Sequence, residues 1–401
     1  MLRYHAAERR IGVGMNNFTW FNPTKIIFGK DTHKEAGKLT AGYAKKVLLH
    51  YGGKSIKTTG TYDVVVNSLK ENGVEYVELG GVVPNPRLSL VQEGIELCRR
   101  EEINFILAVG GGSVIDSAKA IAVGVPYDGD VWDFYSTPKQ PEKILPMGVV
   151  LTIPAAGSES SDGSVITNEK TKEKRSCCTD LMFPDFAILN PQLCYTLPEN
   201  QISAGGADIL AHVMERYFVP NKNNDLTDRL CEATMKTLIN NLPLVLEDKN
   251  NYDAWAEVMW TGNVAHNGLL GKGRQDDWAS HGIEHELSAL YDIAHGAGLA
   301  IIFPAWMKYV NDAHPERFVQ FAQRVFGICP EGRSENSIIG EGIAKLEEFF
   351  QKIGLVTTLA EAGIDDSNFE LMAKKAAING PLGSMKRLDV KDIQSIYELA
   401  R

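Results

Sequence analysis

The sequence contains no uninterrupted apolar run of membrane-spanning length and no signal-peptide pattern, so neither a helical membrane span nor a secretory leader is expected. Positive charge is not in excess. The net charge of -10 argues against nucleic acid or an anionic membrane as the main partner. Six cysteines (Cys98, Cys177, Cys178, Cys194, Cys231 and Cys329) form no Cys-x-x-Cys pair and no dense framework. Thiolate metal sites and a disulfide scaffold fit poorly, and a cytoplasmic chain with reduced thiols is expected. Internal repeats and low-complexity linkers are absent. Histidine is scarce as well, with nine in 401 residues.

Three of those nine, His281, His285 and His295, fall within fifteen positions. His281 and His285 stand four apart in a helix-compatible stretch, so both imidazoles leave one face. His295 opens His-Gly-Ala-Gly, where glycines let a backbone come close to other groups. Imidazole is the commonest neutral metal ligand, and the cluster points to a catalytic metal.

The chain is long enough for two or three domains. Residues 1–14 are basic and aperiodic and read as an extension outside the fold. Over 15–197, short β-branched runs alternate with helical stretches. Strands are expected at 46–50, 76–79, 105–109, 148–153 and 186–189, and helices at 62–71 and 89–100. That alternation implies βαβ units and a parallel sheet covered on both faces. A polar hairpin is expected across 165–178, turning near 168–172. From 198 to 401 strand-like runs become scarce, and segments of 3.6 periodicity such as 225–242 and 252–270 predict an all-α domain. An α/β dinucleotide-binding domain joined directly to an all-α domain is the expected architecture, and ligands commonly lie in the cleft of such a pair.

Gly110-Gly-Gly-Ser-Val-Ile-Asp116 joins a predicted strand to a predicted helix. Amides and macrodipole at a helix start attract an anion, so Gly111, Gly112 and Ser113 are candidates for holding a pyrophosphate. The run is not the Gly-x-Gly-x-x-Gly fingerprint, and in isolation it reads equally as a tight βα turn. A second turn, Gly52-Gly53-Lys54-Ser55, follows the first predicted strand and offers no acidic side chain for a ribose 2′-hydroxyl. Lys54 and Ser55 would suit a 2′-phosphate, which favours NADP(H) over NAD(H), while a solvated turn lysine is the plain alternative.

Asp208 and His212 share a helix face at i,i+4. With His281 and His295 they make a set of one carboxylate and three imidazoles, suited to Fe(II), Zn(II) or Mn(II) and unsuited to Ca(II). His285 is a fourth imidazole ligand, a packed histidine or a proton relay; relay or substrate contact is preferred. His266 is a rival ligand by proximity in sequence, with a packed or exposed role favoured for it.

These residues, with Phe28-Gly-Lys and Pro84-Asn-Pro, give the chain from about Met15 onward a resemblance to the iron-dependent (group III) alcohol dehydrogenases. The similarity is to the butanol dehydrogenase-like branch that reduces aldehydes with NADPH or NADH. The resemblance implies Asp208, His212, His281 and His295 as ligands of a divalent metal, iron in most members and zinc in some. It implies His285 as a proton-transfer residue, Gly111, Gly112 and Ser113 at the pyrophosphate, and Thr152, Lys174 and Asn85 along the nucleotide. The Asp116 that closes the glycine-rich motif joins the cofactor-binding set. A homodimer and an active site in the interdomain cleft are further implications.

Two departures stand out: Lys54 replaces a glycine found in many relatives, and Ala156 replaces a threonine. The expected reaction is hydride transfer between NAD(P)H and an aldehyde such as butanal, giving the primary alcohol. Dehydroquinate synthase-like or polyol-phosphate dehydrogenase chemistry is the alternative on the same fold, although the stretches around His281 and His295 are poor in Lys and Arg. A non-catalytic nucleotide- or metal-binding module is the third possibility.

Overall fold

The computed structural model describes residues 14–401, so the expected extension at 1–14 lies, apart from its last residue, outside the described residues. The chain divides into two compact units. One comprises Phe21–Leu197 and Lys249–Met259; the other comprises residues 14–20, Pro198–Asp248 and Trp260–Arg401.

In the first unit, β1 (Lys25–Phe28), β2 (Lys46–Tyr51), β3 (Glu75–Leu79), β4 (Ile106–Gly110), β5 (Met147–Leu151) and β8 (Phe186–Leu189) form one sheet in the order β1-β8-β5-β4-β2-β3. Every pairing is parallel. The inner strands read as near-continuous apolar runs because helices cover both faces of a parallel sheet. Val47, Leu49, Leu107, Val109, Val150 and Ile188 are buried in one cluster. Each such side chain contributes about 1.5–3 kcal/mol relative to exposure. β1 had no counterpart in the sequence reading; it is an edge strand whose side chains are half-buried or exposed, so its apolar signal is short.

The strand order reverses beside β2. The chain leaves β2 to one side for β3, then crosses back to lay β4, β5 and β8 on the other side. The crevice beyond the carboxyl ends of β2 and β4 is therefore the topological switch point, where open parallel sheets bind dinucleotides.

A separate antiparallel pair, β6 (Gly163–Asn168) and β7 (Glu173–Cys178), is the expected hairpin. The helix Gly112–Gly124 anchors it. Asp116 accepts hydrogen bonds from Ser158 Oγ (2.6 Å) and from the backbone N–H of Val165 (2.9 Å), while Lys119 donates to the carbonyls of Ser161 (2.8 Å) and Gly163 (2.9 Å). Burial pushes the Lys119 ammonium down to about 8.

The segment 249–259 belongs to the first unit, although the sequence placed everything after 198 in the helical domain. Trp255 is buried there and donates its indole N–H to the Lys249 carbonyl at 2.9 Å, and the ammonium of Lys30 stands 4.3 Å over the Tyr252 ring. The second unit is helical, and no strand occurs after β8 among the described residues. The helices that matter most are Glu199–Tyr217, Ala279–Tyr291 and His295–Val310. No helix among the described residues is long and apolar enough to cross a membrane.

Candidate metal and dinucleotide sites

Asp208, His212 and Glu215 lie on the helix Glu199–Tyr217 at spacings of four and three, so one face carries all three. His281 and His285 lie on Ala279–Tyr291, and His295 is the first residue of His295–Val310. Glycines let these helices approach closely. A Cβ on Gly296 would stand 1.8 Å from the Ala204 carbonyl oxygen, and one on Gly298 would stand 2.5 Å from Oε1 of Glu284.

Donor atoms of Asp208, His281 and His295 all lie within 4.8 Å of one another. The His212 ring is adjacent to that group, its centroid 4.7 Å from that of His281. His212 turns Nδ1 back to the Asp208 carbonyl oxygen at 2.9 Å, which leaves its Nε2 edge for another partner. Asp208, His212 and His281 are buried, whereas His285 and His295 are half-buried. His285 sits beside His295, with ring centroids 5.4 Å apart.

Each of two histidines is held from behind by a carboxylate. Glu215 Oε1 accepts from Nδ1 of His281 at 2.7 Å and from its backbone N–H at 3.0 Å; Oε2 accepts from the Trp278 N–H at 2.6 Å. Glu284 Oε2 accepts from Nδ1 of His295, and Glu284 Oε1 accepts from the Ser288 hydroxyl. With the proton on Nδ1, the Nε2 lone pair of each imidazole is free to act as a ligand. Burial and the surrounding imidazoles hold His281 well below the usual histidine range, which keeps it neutral. Burial and the nearby Asp277 push the Glu215 carboxyl upward, opposed by the amides of His281 and Trp278.

A metal ion fits this donor set. Nε2 of His281 is buried and has no hydrogen-bond partner among the described residues, a costly arrangement unless a Lewis acid meets it. One carboxylate oxygen with imidazole nitrogens suits iron or zinc.

Trp278 precedes the helix Ala279–Tyr291 in a left-handed conformation (φ 62°). Its indole lies edge-on to His281, centroids 5.0 Å apart, with the Arg216 guanidinium 4.7 Å from the ring. The sequence alone gives Trp278 no particular role, since large aromatics are ordinary core residues. It gave no sign of Glu215 or Glu284, whose one available signal is spacing: three beyond His212 and three beyond His281.

In the first unit, Gly52, Gly53, Lys54 and Ser55 follow β2 directly, and Gly111, Gly112 and Ser113 follow β4. Both turns therefore border the switch point. Gly111 caps the helix Gly112–Gly124 without any side-chain hydrogen bond, so Ser113 lies in the first turn instead of capping it. The Val114 and Ile115 amides donate to the Gly111 carbonyl (3.0 and 3.2 Å), and the amides that open a helix before them are the ones that suit an anion. Lys54 and Ser55 are exposed. Thr152 follows β5, its N–H donating to the Gly110 carbonyl at 3.0 Å. Lys174, on β7, donates to Oδ1 of Asn85 at 3.0 Å, and both are buried. Asp116 differs from the rest of the set: each of its carboxylate oxygens already holds a protein donor, so it braces the hairpin bearing Lys174.

Comparison with known proteins follows the same division. The profile of the iron-containing alcohol dehydrogenases matches residues 23–191, and that of the C-terminal region of the Fe-containing alcohol dehydrogenase family matches 202–401. The chain belongs to the iron-containing alcohol dehydrogenase family. It is 46% identical over 385 residues to a probable NADH-dependent butanol dehydrogenase 2 of Bacillus subtilis, covering 95% of this chain and 99% of the relative. It is 38% identical over 393 residues to the NADPH-dependent aldehyde reductase YqhD of Escherichia coli, covering 96% and 100%. The crystal structure of an NADH-dependent butanol dehydrogenase A from Thermotoga maritima superposes with a TM-score of 0.93 at 42% identity, covering 96% and 99%. The chain is thus an oxidoreductase of the alcohol–aldehyde couple in the butanol dehydrogenase-like branch, with a nicotinamide cofactor and iron as the family-typical metal.

Proposed function

We propose that this enzyme reduces short or medium aliphatic aldehydes such as butanal to primary alcohols, with Asp208, His212, His281 and His295 holding the iron. The observation that carries the site is the convergence of Asp208, His281 and His295, with Nε2 of His281 buried and without a hydrogen-bond partner among the described residues. When bound, iron supplies Lewis acidity toward the carbonyl oxygen and the reduced nicotinamide supplies the hydride. The chain's own residues do the rest. Glu215 and Glu284 orient two of the imidazoles, and His285 supplies the proton that the alkoxide oxygen requires, since imidazole titrates near neutral pH.

For the dinucleotide, we infer that Gly111, Gly112 and Ser113 bind the pyrophosphate and that Gly52, Gly53, Lys54 and Ser55 surround the adenosine ribose. Thr152, Asn85 and Lys174 follow toward the nicotinamide end, with Asp116 bracing the hairpin. The exposed Lys54, in a turn without a carboxylate, supports NADP(H) over NAD(H). The related butanol dehydrogenases named for NADH and the reductase named for NADPH bracket that choice. The six free cysteines support a reducing, cytoplasmic setting. Membership of the family supports a homodimer.

The deciding experiment is elemental analysis of anaerobically purified protein paired with butanal reduction by NADPH and by NADH. One equivalent of iron and a higher kcat/KM with NADPH are expected. Protein that carries no metal yet turns over butanal would overturn the site, and a preference for NADH would overturn the Lys54 assignment.

A further inference from the structure

Two carboxylates in the second unit have no accessible surface, and the chemistry described so far uses them only as supports. Glu215 and Glu284 are each 0% exposed. A buried carboxylate is expensive to desolvate, and it persists only where several donors or a cation compensate for the lost water. Glu215 meets three N–H groups, all from the segment 278–281, although it sits on the same helix as Asp208 and His212. It therefore ties the segment that carries His281 to the helix that carries Asp208 and His212. Glu284 makes the equivalent link, from the helix of His281 to His295 at the head of the next helix.

The two arrangements share one logic. In each, a carboxylate accepts a hydrogen bond from Nδ1–H, which fixes the ring's tautomer and its rotation and makes Nε2 more basic. The Trp278 N–H from which Glu215 also accepts belongs to a non-glycine residue with positive φ, a conformation that persists only where the surroundings hold it.

Resting on the metal reading above, we propose that Glu215 and Glu284 are positioning residues that set the affinity and ligand field of the metal through His281 and His295. Neither touches the ion or the substrate. Their effect reaches the ion through Nε2 of the ring that each one holds.

The test uses the full-length protein loaded with Co(II), with dissociation constants measured by chelator competition and the ligand field read from the visible d–d bands. Glu215→Gln and Glu284→Gln keep size and shape but remove the charge and turn one acceptor into a donor. Each is expected to weaken Co(II) binding by about 10–100-fold and to shift the d–d bands, with helical circular dichroism unchanged. Glu215→Asp, which restores the charge one methylene short, is expected to recover part of the affinity. The proposal is overturned if both glutamine variants bind Co(II) with wild-type affinity and spectrum. It is equally overturned if weak binding tracks a loss of helical signal that Glu215→Asp does not repair. Wild-type protein that binds no Co(II) removes the metal reading itself and this proposal with it.

Discussion

The imidazoles of His212 and His266 meet edge to face, with ring centroids 4.3 Å apart and planes at 89°. Sequence proximity made His266 a rival ligand, and it stands beside one candidate ligand without a donor atom in the group formed by Asp208, His281 and His295. His266→Phe should keep the metal, because the aromatic edge contact survives the change. His281→Ala should lower metal content at least about tenfold, since a buried ligand and its link to Glu215 both go. Metal analysis of the two purified variants checks this; equal retention by both would count against His281 as a ligand.

The proposed role of His285 is proton transfer, apart from the ligands. Its ring lies 5.4 Å from that of His295 and is half-buried, as a proton donor in contact with solvent requires. His285→Ala should retain metal while kcat for butanal reduction falls by about 10²–10⁴-fold, the usual range for losing a general acid. Unchanged turnover in a metal-replete variant would remove His285 from the chemistry.

Lys54 tests the choice of dinucleotide. One charge-assisted hydrogen bond to a 2′-phosphate is worth about 1.5 kcal/mol, close to a tenfold change. Lys54→Gly should raise KM for NADPH by about tenfold and leave KM for NADH nearly unchanged. A parallel rise for both cofactors would assign Lys54 a general electrostatic role instead.

His50 predicts a pH dependence of stability. It is fully buried, with Nδ1 2.8 Å from the Leu79 carbonyl oxygen and Nε2 2.9 Å from Ser117 Oγ, linking β2 to β3 and to the helix Gly112–Gly124. Burial lowers its pKa from 6.5 to about 4. The unfolded chain therefore takes up the proton first on acidification, so this contribution is complete above pH 6.5 and is lost as pH falls toward 4. A shift of that size corresponds to about 3 kcal/mol. Urea midpoints measured between pH 4 and 7 should fall with acid in the wild type and fall less steeply in His50→Gln. Parallel slopes would contradict the assignment.

Much of this was legible beforehand, and what was not has physical causes. The strands at 46–50, 105–109 and 186–189 announce themselves because a parallel sheet buries both faces and selects unbroken apolar runs. β1 escaped because an edge strand buries little. The segment 249–259 has ordinary helical periodicity, which reports that a face is buried and says nothing of which unit buries it. Asp208, His281 and His295 were readable because histidine is rare enough for a cluster to be informative. Glu215 and Glu284 were not, since acidic residues abound and spacing does not distinguish a sealed carboxylate from one on a solvated helix face. Asp116 carried a family motif, yet only geometry revealed that its oxygens serve the hairpin.

Every candidate metal ligand resides in the second unit, and both glycine turns reside in the first. On the proposed ligand set, one unit alone would supply every side chain that seats the ion, so maturation with iron need not wait for a dinucleotide. A freshly synthesised chain starved of nicotinamide should already be charged with its metal, and the order of assembly follows from the partition of the ligands.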